Sequence, residues 1–237
     1  MLRQVVLDTE TTGIEPELGH RIIEIGCVEL VNRRLTGRVY HEYLQPDREI
    51  DQGAYEVHGI SNEFLADKPR FADISDGFIE FIKDSDLVIH NAAFDVGFLD
   101  AEFARLKGAP RIKDLCHNGA ATDSLAMARK KRPGQRNSLD ALCKAYGIDN
   151  SNRELHGALL DARLLAEVYL SMTREQNTLL ASSGSQQNQS IQAEAIRRVV
   201  GRTQGPSYAV LDEEAQGFNA LIEAVRKSGD KALWDEH

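Results

Sequence analysis

The sequence predicts an α/β domain around a mixed sheet, followed by a flexible linker and a short helical tail. Strand-like segments come first along the chain, and strands then alternate with helix-like segments up to about residue 172. Near residue 182 the composition changes, and the positions 182–190 hold no apolar residue. Alternating strands and helices are typical of helices layered on a sheet, and such a polar run is typical of a linker.

Four segments have the composition of strands. The apolar run 5–7 is short, and the segment 21–32 is longer and rich in isoleucine and valine. The segment 39–44 ends before Pro46, and the apolar run 87–89 follows later in the chain. Because β-branched residues favour strands and proline interrupts them, we expect four strands here.

Apolar residues recur at helical spacing over 71–83, which predicts a helix. Capping residues and apolar spacing predict further helices over 94–106, 138–146 and 158–172. Within the first of these three, Asp100 and Glu102 are expected to lie on a solvated face.

The chain is thereby divided into a domain of residues 1–180, a linker of 181–205 and a tail of 206–237. In the tail, apolar residues between Ala215 and Val225 share one helical face, and Trp234 follows. A tail this short cannot bury that face alone. It is expected to dock either back onto its own domain or onto a partner protein to which it tethers the domain.

Composition excludes several classes of protein. The 237 residues carry 28 Lys plus Arg and 37 Asp plus Glu, a net charge of −9, and 42% are hydrophobic, which excludes a fully disordered chain. No apolar run reaches the roughly 20 residues of a membrane span, and the N-terminus has no signal-peptide pattern. Three scattered cysteines do not suit a disulfide framework or a zinc ribbon, so a cytoplasmic protein is expected. The acidic balance at first argues against nucleic-acid binding.

Asp8 and Glu10 follow the first strand two residues apart. Side chains alternate along a strand, so these two carboxylates point the same way. Adjacent carboxylates repel unless a cation lies between them, and carboxylate oxygens are natural ligands of Mg²⁺. Small neighbours from Thr9 to Gly13 allow close backbone approach to a ligand. The alternative is a solvated surface pair.

Asp95 and Asp161 are further candidates for the same site. Asp95 follows the strand 87–89 near the start of a helix, where it could equally favour the helix dipole. His156 precedes Asp161 by five residues, about 140° around a helix, so both cannot share a helical face. Gly157 suggests that His156 lies on the incoming loop, as a general base or simply as a capping or surface histidine.

Three segments together resemble the motifs of the DEDD exonuclease superfamily, in its branch with a catalytic histidine: 6–13, 90–95 and 156–161. The resemblance covers roughly residues 4 to 172. More narrowly, 57–60, 136–142 and the linker with its Trp-bearing tail are similar to the proofreading ε subunits of bacterial DNA polymerase III. The resemblance implies an RNase H-like mixed sheet flanked by helices.

The resemblance also implies a metal-dependent 3′→5′ DNA exonuclease that releases nucleoside 5′-monophosphates with two divalent cations, Mg²⁺ or Mn²⁺. In this interpretation Asp8 bridges both ions. Glu10 and Asp161 complete the site of one ion, and Asp95 supports the other. His156 is the catalytic residue that accepts the proton of the attacking water. Cations held in this way would offset part of the acidic charge, which removes the objection from composition.

Seven residues are expected near the single-stranded 3′ end of the DNA: Asp8, Thr9, Glu10, Thr12, His58, Asn91 and Asp161. His58 has a structural alternative, a hydrogen bond beside a turn at Gly59. Five residues before His58, familiar ε subunits have a glutamate where this chain has Gly53, so that contact is not expected.

Two segments suggest further contacts. Basic residues from Arg129 to Arg136 form either a solvated loop or a contact to the phosphate backbone. Gln176 and Leu179 fit a sliding-clamp motif, but Ala181 replaces its aromatic anchor, so clamp binding is expected to be weak, and the segment could simply end a helix.

The leading hypothesis is a proofreading nuclease whose tail, with Trp234, binds the catalytic subunit of DNA polymerase III. One rival is a stand-alone exonuclease for RNA or small DNA fragments, which would need neither linker nor tail. The other is a catalytically silent scaffold on a nuclease fold. No membrane partner is expected.

Overall fold

The computed structural model describes residues 2–183 except Asn152 and Glu154, with side chains described up to residue 174. Five strands are present in this part of the chain: β1 (Arg3–Thr11), β2 (Ile22–Val31), β3 (Arg34–Tyr43), β4 (Asp86–Ile89) and β5 (Thr122–Asp123). The helices of the first half are α1 (Gln52–His58), α2 (Asn62–Leu65), α3 (Phe71–Ile82) and α4 (Ala92–Ala104). Those of the second half are α5 (Ile112–Leu115), α6 (Ser124–Lys131), α7 (Leu139–Tyr146) and α8 (Ala158–Ser183).

The strands form one mixed sheet in the order β3-β2-β1-β4-β5. β2 pairs antiparallel with both of its neighbours, β1 and β3. β4 pairs parallel with both of its neighbours, β1 and β5. The predicted mixed sheet with flanking helices is confirmed.

Side-chain alternation on β1 divides the core into two layers. Val5 and Leu7 pack with the phenylalanines of α3 and α4, whereas Val6 packs on the opposite face with residues of α7 and α8. The central strands are therefore apolar on both faces, as expected for strands covered by helices on each side. Polar residues that follow Val6 on its own face of β1 lie beneath the start of α8.

Some elements lie outside the predictions. The short helices α1, α2 and α5 have too few residues for an apolar repeat to be visible. The last helix continues to Ser183, past the predicted boundary at residue 180, and the rest of the predicted linker and tail lies outside the described residues. None of the described helices is long and apolar enough to cross a bilayer.

The prediction that Glu102 lies on a solvated face of α4 is wrong. This side chain is buried, and its two oxygens accept hydrogen bonds of 2.6 and 2.7 Å from the guanidinium of Arg21. The pair joins the start of β2 to α4, so the carboxylate is a packing element and not a surface charge.

Candidate active site

Asp8 and Glu10 lie near the end of β1, on the same face as Val6. Both line a cavity of about 640 Å³. The prediction that the two carboxylates point the same way from one strand is therefore confirmed, and its cause is the period of two along the strand.

Asp95 reaches the same cavity from the first turn of α4. It is buried and accepts a hydrogen bond of 2.7 Å from the hydroxyl of Thr9. Because Thr9 lies between Asp8 and Glu10, this bond joins α4 to the strand that carries the other two carboxylates.

His156 lies on the loop before α8, and Asp161 lies in the first turn of that helix, as predicted. Gly26 on β2, opposite Asp8, determines how close the helix comes. A Cβ atom on Gly26 would lie 2.2 Å from the backbone nitrogen of Leu159. A residue without a Cβ is thus required for α8 to begin here, with Asp161 in the cavity of Asp8.

Glu10, His156 and Asp161 each offer one ligand atom, and these atoms all lie within 4.8 Å of one another. Asp8 and Asp95 line the same cavity. Carboxylate oxygens suit Mg²⁺ and Mn²⁺, and an imidazole is a frequent ligand beside them. The chemistry of the donors therefore fits divalent cations.

The carboxyl groups oppose one another's ionisation. Desolvation, followed by the charges of neighbouring carboxylates, raises the pKa of Asp8 well above its ordinary value. Desolvation is also the main cause that raises the pKa of Glu10 to about 8. It raises the pKa of Asp95 to about 7, although the hydrogen bond from Thr9 acts in the other direction. A cation among these groups would stabilise their ionised forms.

Asp161 differs from the other three carboxylates. Burial alone would raise its pKa, but the hydrogen bonds and the charge of Arg153 outweigh burial and lower it. Arg153 donates to both Asp161 oxygens, from Nε and from Nη2, each at 2.6 Å. Sequence reasoning missed Arg153, since a single arginine three residues before the histidine resembles any solvated one.

Comparison with known proteins identifies the family. The family model described as Exonuclease matches residues 5–169. The chain is 53% identical over 241 residues to the DNA polymerase III subunit epsilon of Escherichia coli strain K12, covering 98% of this chain and 97% of that protein. The chain belongs to the family of DNA polymerase III epsilon subunits.

Other relatives agree with this assignment. The epsilon subunit of Salmonella typhimurium strain LT2 is 51% identical over 239 residues, covering 98% of this chain and 97% of the relative. Among solved structures, exonuclease X in complex with 5′ overhanging duplex DNA matches with a TM-score of 0.57 and 25% identity, covering 73% of this chain and 93% of that one. This epsilon-family chain is accordingly an exonuclease.

A second cavity of about 350 Å³ in this epsilon-family chain shares Thr9, Glu10 and Phe94 with the first. His58 lines it, is buried, and accepts a hydrogen bond of 3.0 Å from the backbone of Ile60 through Nδ1. This hydrogen bond beside the turn at Gly59 is the structural role that the sequence offered for His58 as the alternative to a substrate contact. Its Nε2 has no hydrogen-bond partner within the described residues, so a substrate contact stays open as a prediction.

Two residues flanking these cavities were not singled out from sequence as site residues. Phe94 lines both cavities, and Gly53 lines the second, where a Cβ atom would meet no atom within 4 Å. A phenylalanine in a helix resembles a core residue in sequence, which is why Phe94 gave no signal.

The structure does not bring Thr12 to the site. Its hydroxyl lies 3.0 Å from Nδ1 of His20 and accepts from the backbone of Arg21, and it lines neither cavity. Its backbone N–H and C=O are also bonded, to Arg21 and Asp51. Thr12 therefore lies outside both cavities, and its substrate contact remains a prediction. Asn91 is exposed at the start of α4 and lines neither cavity, so its contact remains a prediction.

The basic segment from Arg129 to Arg136 is only partly a loop. Its first three residues form the last turn of α6, which corrects the expected loop. Arg129, Gly134 and Gln135 line the larger cavity, so the segment forms one of its walls.

The predicted partner contacts are less fully described. Gln176 and Leu179 belong to α8, in the part beyond residue 174 where only the backbone is described. Trp234 lies outside the described residues, as does the rest of the tail.

Proposed function

We propose that this chain removes nucleotides from the 3′ end of single-stranded DNA, as the proofreading exonuclease of a replicative polymerase. The observation that carries the proposal is the convergence of Asp8, Glu10, Asp95 and Asp161 with His156 in a single cavity. The family, whose members are named as subunits of a DNA polymerase, supports the substrate and the partner.

Two divalent cations, Mg²⁺ or Mn²⁺, are part of the proposal. Asp8 would bridge both, Glu10 and Asp161 would complete one site, and Asp95 would support the other. When bound, such ions neutralise the phosphate oxygens and make a bound water more acidic. Thr9 holds Asp95 in place through its hydroxyl.

His156 is proposed as the general base. It lies on a loop and is about half exposed, so it can approach a water beside the phosphate. Its backbone N–H donates a 3.1 Å hydrogen bond to Val57 at the end of α1, which positions the loop. An imidazole nitrogen is the side-chain group that most often accepts a proton in general-base catalysis.

The 3′-terminal nucleotide is proposed to lie in the second cavity, beside His58 and Phe94, with its phosphate towards the carboxylates of the first. The nucleotides that precede it in the DNA would lie along the cavity wall that the basic segment forms. Phosphodiester hydrolysis at this position releases a nucleoside 5′-monophosphate.

His156→Ala and Asp8→Ala test the assignment. His156→Ala is expected to lose at least about a hundredfold in hydrolysis of a frayed, 5′-labelled primer, the scale of general-base catalysis, and to keep Mn²⁺ binding in isothermal titration. Asp8→Ala should lose both. Unchanged Mn²⁺ binding in Asp8→Ala would refute the bridging role, and lost binding in His156→Ala would make the histidine a ligand. Shortening of the primer from its labelled end would refute the polarity.

The polymerase catalytic subunit is the proposed partner of the tail, and the bacterial cytoplasm is the proposed place of action. Clamp binding through Gln176 and Leu179 is proposed to be weak, because Ala181 offers no aromatic anchor.

A further inference from the structure

Arg153 has no part in the proposed hydrolysis, yet its side chain is only 5% exposed. It precedes His156 in the segment between α7 and α8 and lines the larger cavity. Its guanidinium is hydrogen-bonded to three side chains there: Asp161, Asp140 and His156.

The contact with Asp161 is bidentate, at 2.6 Å from both Nε and Nη2. Such pairs are the strongest hydrogen-bonded ion pairs that side chains make. Asp161 also belongs to the group of ligand atoms that lie within 4.8 Å of one another with Glu10 and His156. A divalent cation in that group and the guanidinium would both require the oxygens of Asp161, and their positive charges would repel.

The contact with His156 limits what the imidazole can do. Nη2 of Arg153 lies 2.9 Å from Nδ1 of His156. A guanidinium only donates, so Nδ1 accepts, and a neutral ring then carries its proton on Nε2. In that arrangement neither ring nitrogen is free to accept a proton from water.

The third contact, with Asp140, can persist when the other two contacts of the guanidinium are broken. Nη1 donates at 2.7 Å to Asp140 on α7, whose side chain is 57% exposed. Arg153 can release Asp161 and His156 and still keep a carboxylate partner, so the guanidinium is not left unpaired, and the bound cation replaces it at Asp161.

We propose that Arg153 is a displaceable internal counter-ion, which holds Asp161 and His156 in a resting arrangement and keeps only Asp140 as its partner when a divalent cation binds. Arg153 is thus a positioning residue that competes with the cation. The inference rests on the proposed function in taking this carboxylate cluster as the cation site.

Mn²⁺ titration calorimetry of the full chain tests the competition. Arg153→Gln is expected to bind Mn²⁺ about tenfold more tightly than the unaltered chain, a coupling typical of contacting groups. Arg129→Gln is the matched control, because it removes one positive charge from the same cavity wall, and Asp161 is hydrogen-bonded to Arg153 and not to Arg129. If Arg153→Gln binds no more tightly than Arg129→Gln, the competition is refuted.

Asp140→Asn gives a test of opposite sign at an exposed position. It removes the second anchor, so Arg153 should stay on Asp161 and Mn²⁺ should bind several-fold more weakly. The effect should disappear in the Arg153→Gln background. An equal loss of affinity in both backgrounds would mean a general charge effect and would overturn the proposed movement.

Nitrogen-15 spectra of His156 and of the Arg153 Nε–H provide a readout independent of activity. Before Mg²⁺ is added, the imidazole is expected to be protonated at Nε2, and both sets of signals should shift together during the titration. An Arg153 signal that does not move while Mg²⁺ binds would overturn the inference alone. Failure of the unaltered chain to bind Mn²⁺ or Mg²⁺ would overturn the proposed cation site as well.

Discussion

At the scale of single residues, the carboxyl groups of the cavity are destabilised by their own surroundings. Desolvation raises the pKa of Glu10 from 4.5 to about 8 and that of Asp95 to about 7. A carboxyl group in that state favours a bound proton or a bound cation over free ionisation. The pairing of Asp161 with Arg153 is the exception, since a cationic side chain is already in contact with it.

The raised pKa of Glu10 makes stability depend on pH. Above about pH 4.5 the unfolded chain loses the proton of Glu10, whereas the folded chain keeps it up to about pH 8. The folded state thus binds more protons in this window, so the free energy of unfolding should fall as pH rises from 5 to 8, by a few kcal/mol at most. Urea unfolding at several pH values, with a chelator present, measures this.

Glu10→Gln is the control for that dependence, because it removes the titrating group and keeps the shape of the side chain. Its unfolding free energy should fall less steeply over the same range. A slope equal to that of the unaltered chain would show that Glu10 is not the group responsible.

At the scale of elements, the site depends on how α8 meets the sheet. Gly26 allows the first turn of α8 to lie against β2. The helix α1 adds a second restraint, because Val57 accepts the hydrogen bond from the backbone of His156. Neither feature contains a catalytic residue, yet together they determine where His156 and Asp161 lie.

Gly26→Ala is expected to displace the start of α8, because the new Cβ would lie within 2.5 Å of three backbone atoms of Ala158 and Leu159. The free energy of unfolding should fall by about 1–3 kcal/mol, as for other overpacked cores. Nuclease activity, measured on a single-stranded primer well below the melting temperature, should fall at least about tenfold, since 1 Å of misplacement can cost more than that.

Gly77→Ala is the matched control on α3, where the new Cβ would come no closer than 4.0 Å to Tyr40. It should leave activity unchanged and stabilise the helix by up to about 1 kcal/mol. Full activity in Gly26→Ala would mean that the helix adjusts without moving the site.

At the scale of the whole molecule, a net charge of −9 must coexist with binding of a polyanion. The acidic groups of the cavity are suited to cations, and the basic segment forms a wall of that same cavity. The distribution of charge therefore matters more than its sum.

Charge reversal tests the basic wall. Arg129→Glu combined with Lys130→Glu should weaken binding of a single-stranded oligonucleotide and reduce the slope of log K against log salt by about 1–2. Arg105→Glu with Lys107→Glu, an equal charge change on exposed residues at the far end of α4, should change the slope little. Equal slopes for the two double variants would exclude a phosphate contact at the wall.

Truncation after Ser183, where the described helix ends, tests the tether. The shortened chain should keep the hydrolysis rate on a free oligonucleotide but lose co-purification with the polymerase catalytic subunit. Retention of that complex would contradict tethering by the tail and would favour a contact on the nuclease domain.

The sequence by itself determined the features that depend on near neighbours. Alternation along β1 aligned Asp8 with Glu10, and Gly157 separated His156 from the helix of Asp161. Only the tertiary structure decided the burial of Glu102, the position of Thr12 beside His20 and the contacts of Arg153. The physical reason is that a side chain's exposure and charge partners depend on segments distant along the chain, and no local pattern records which of them will meet.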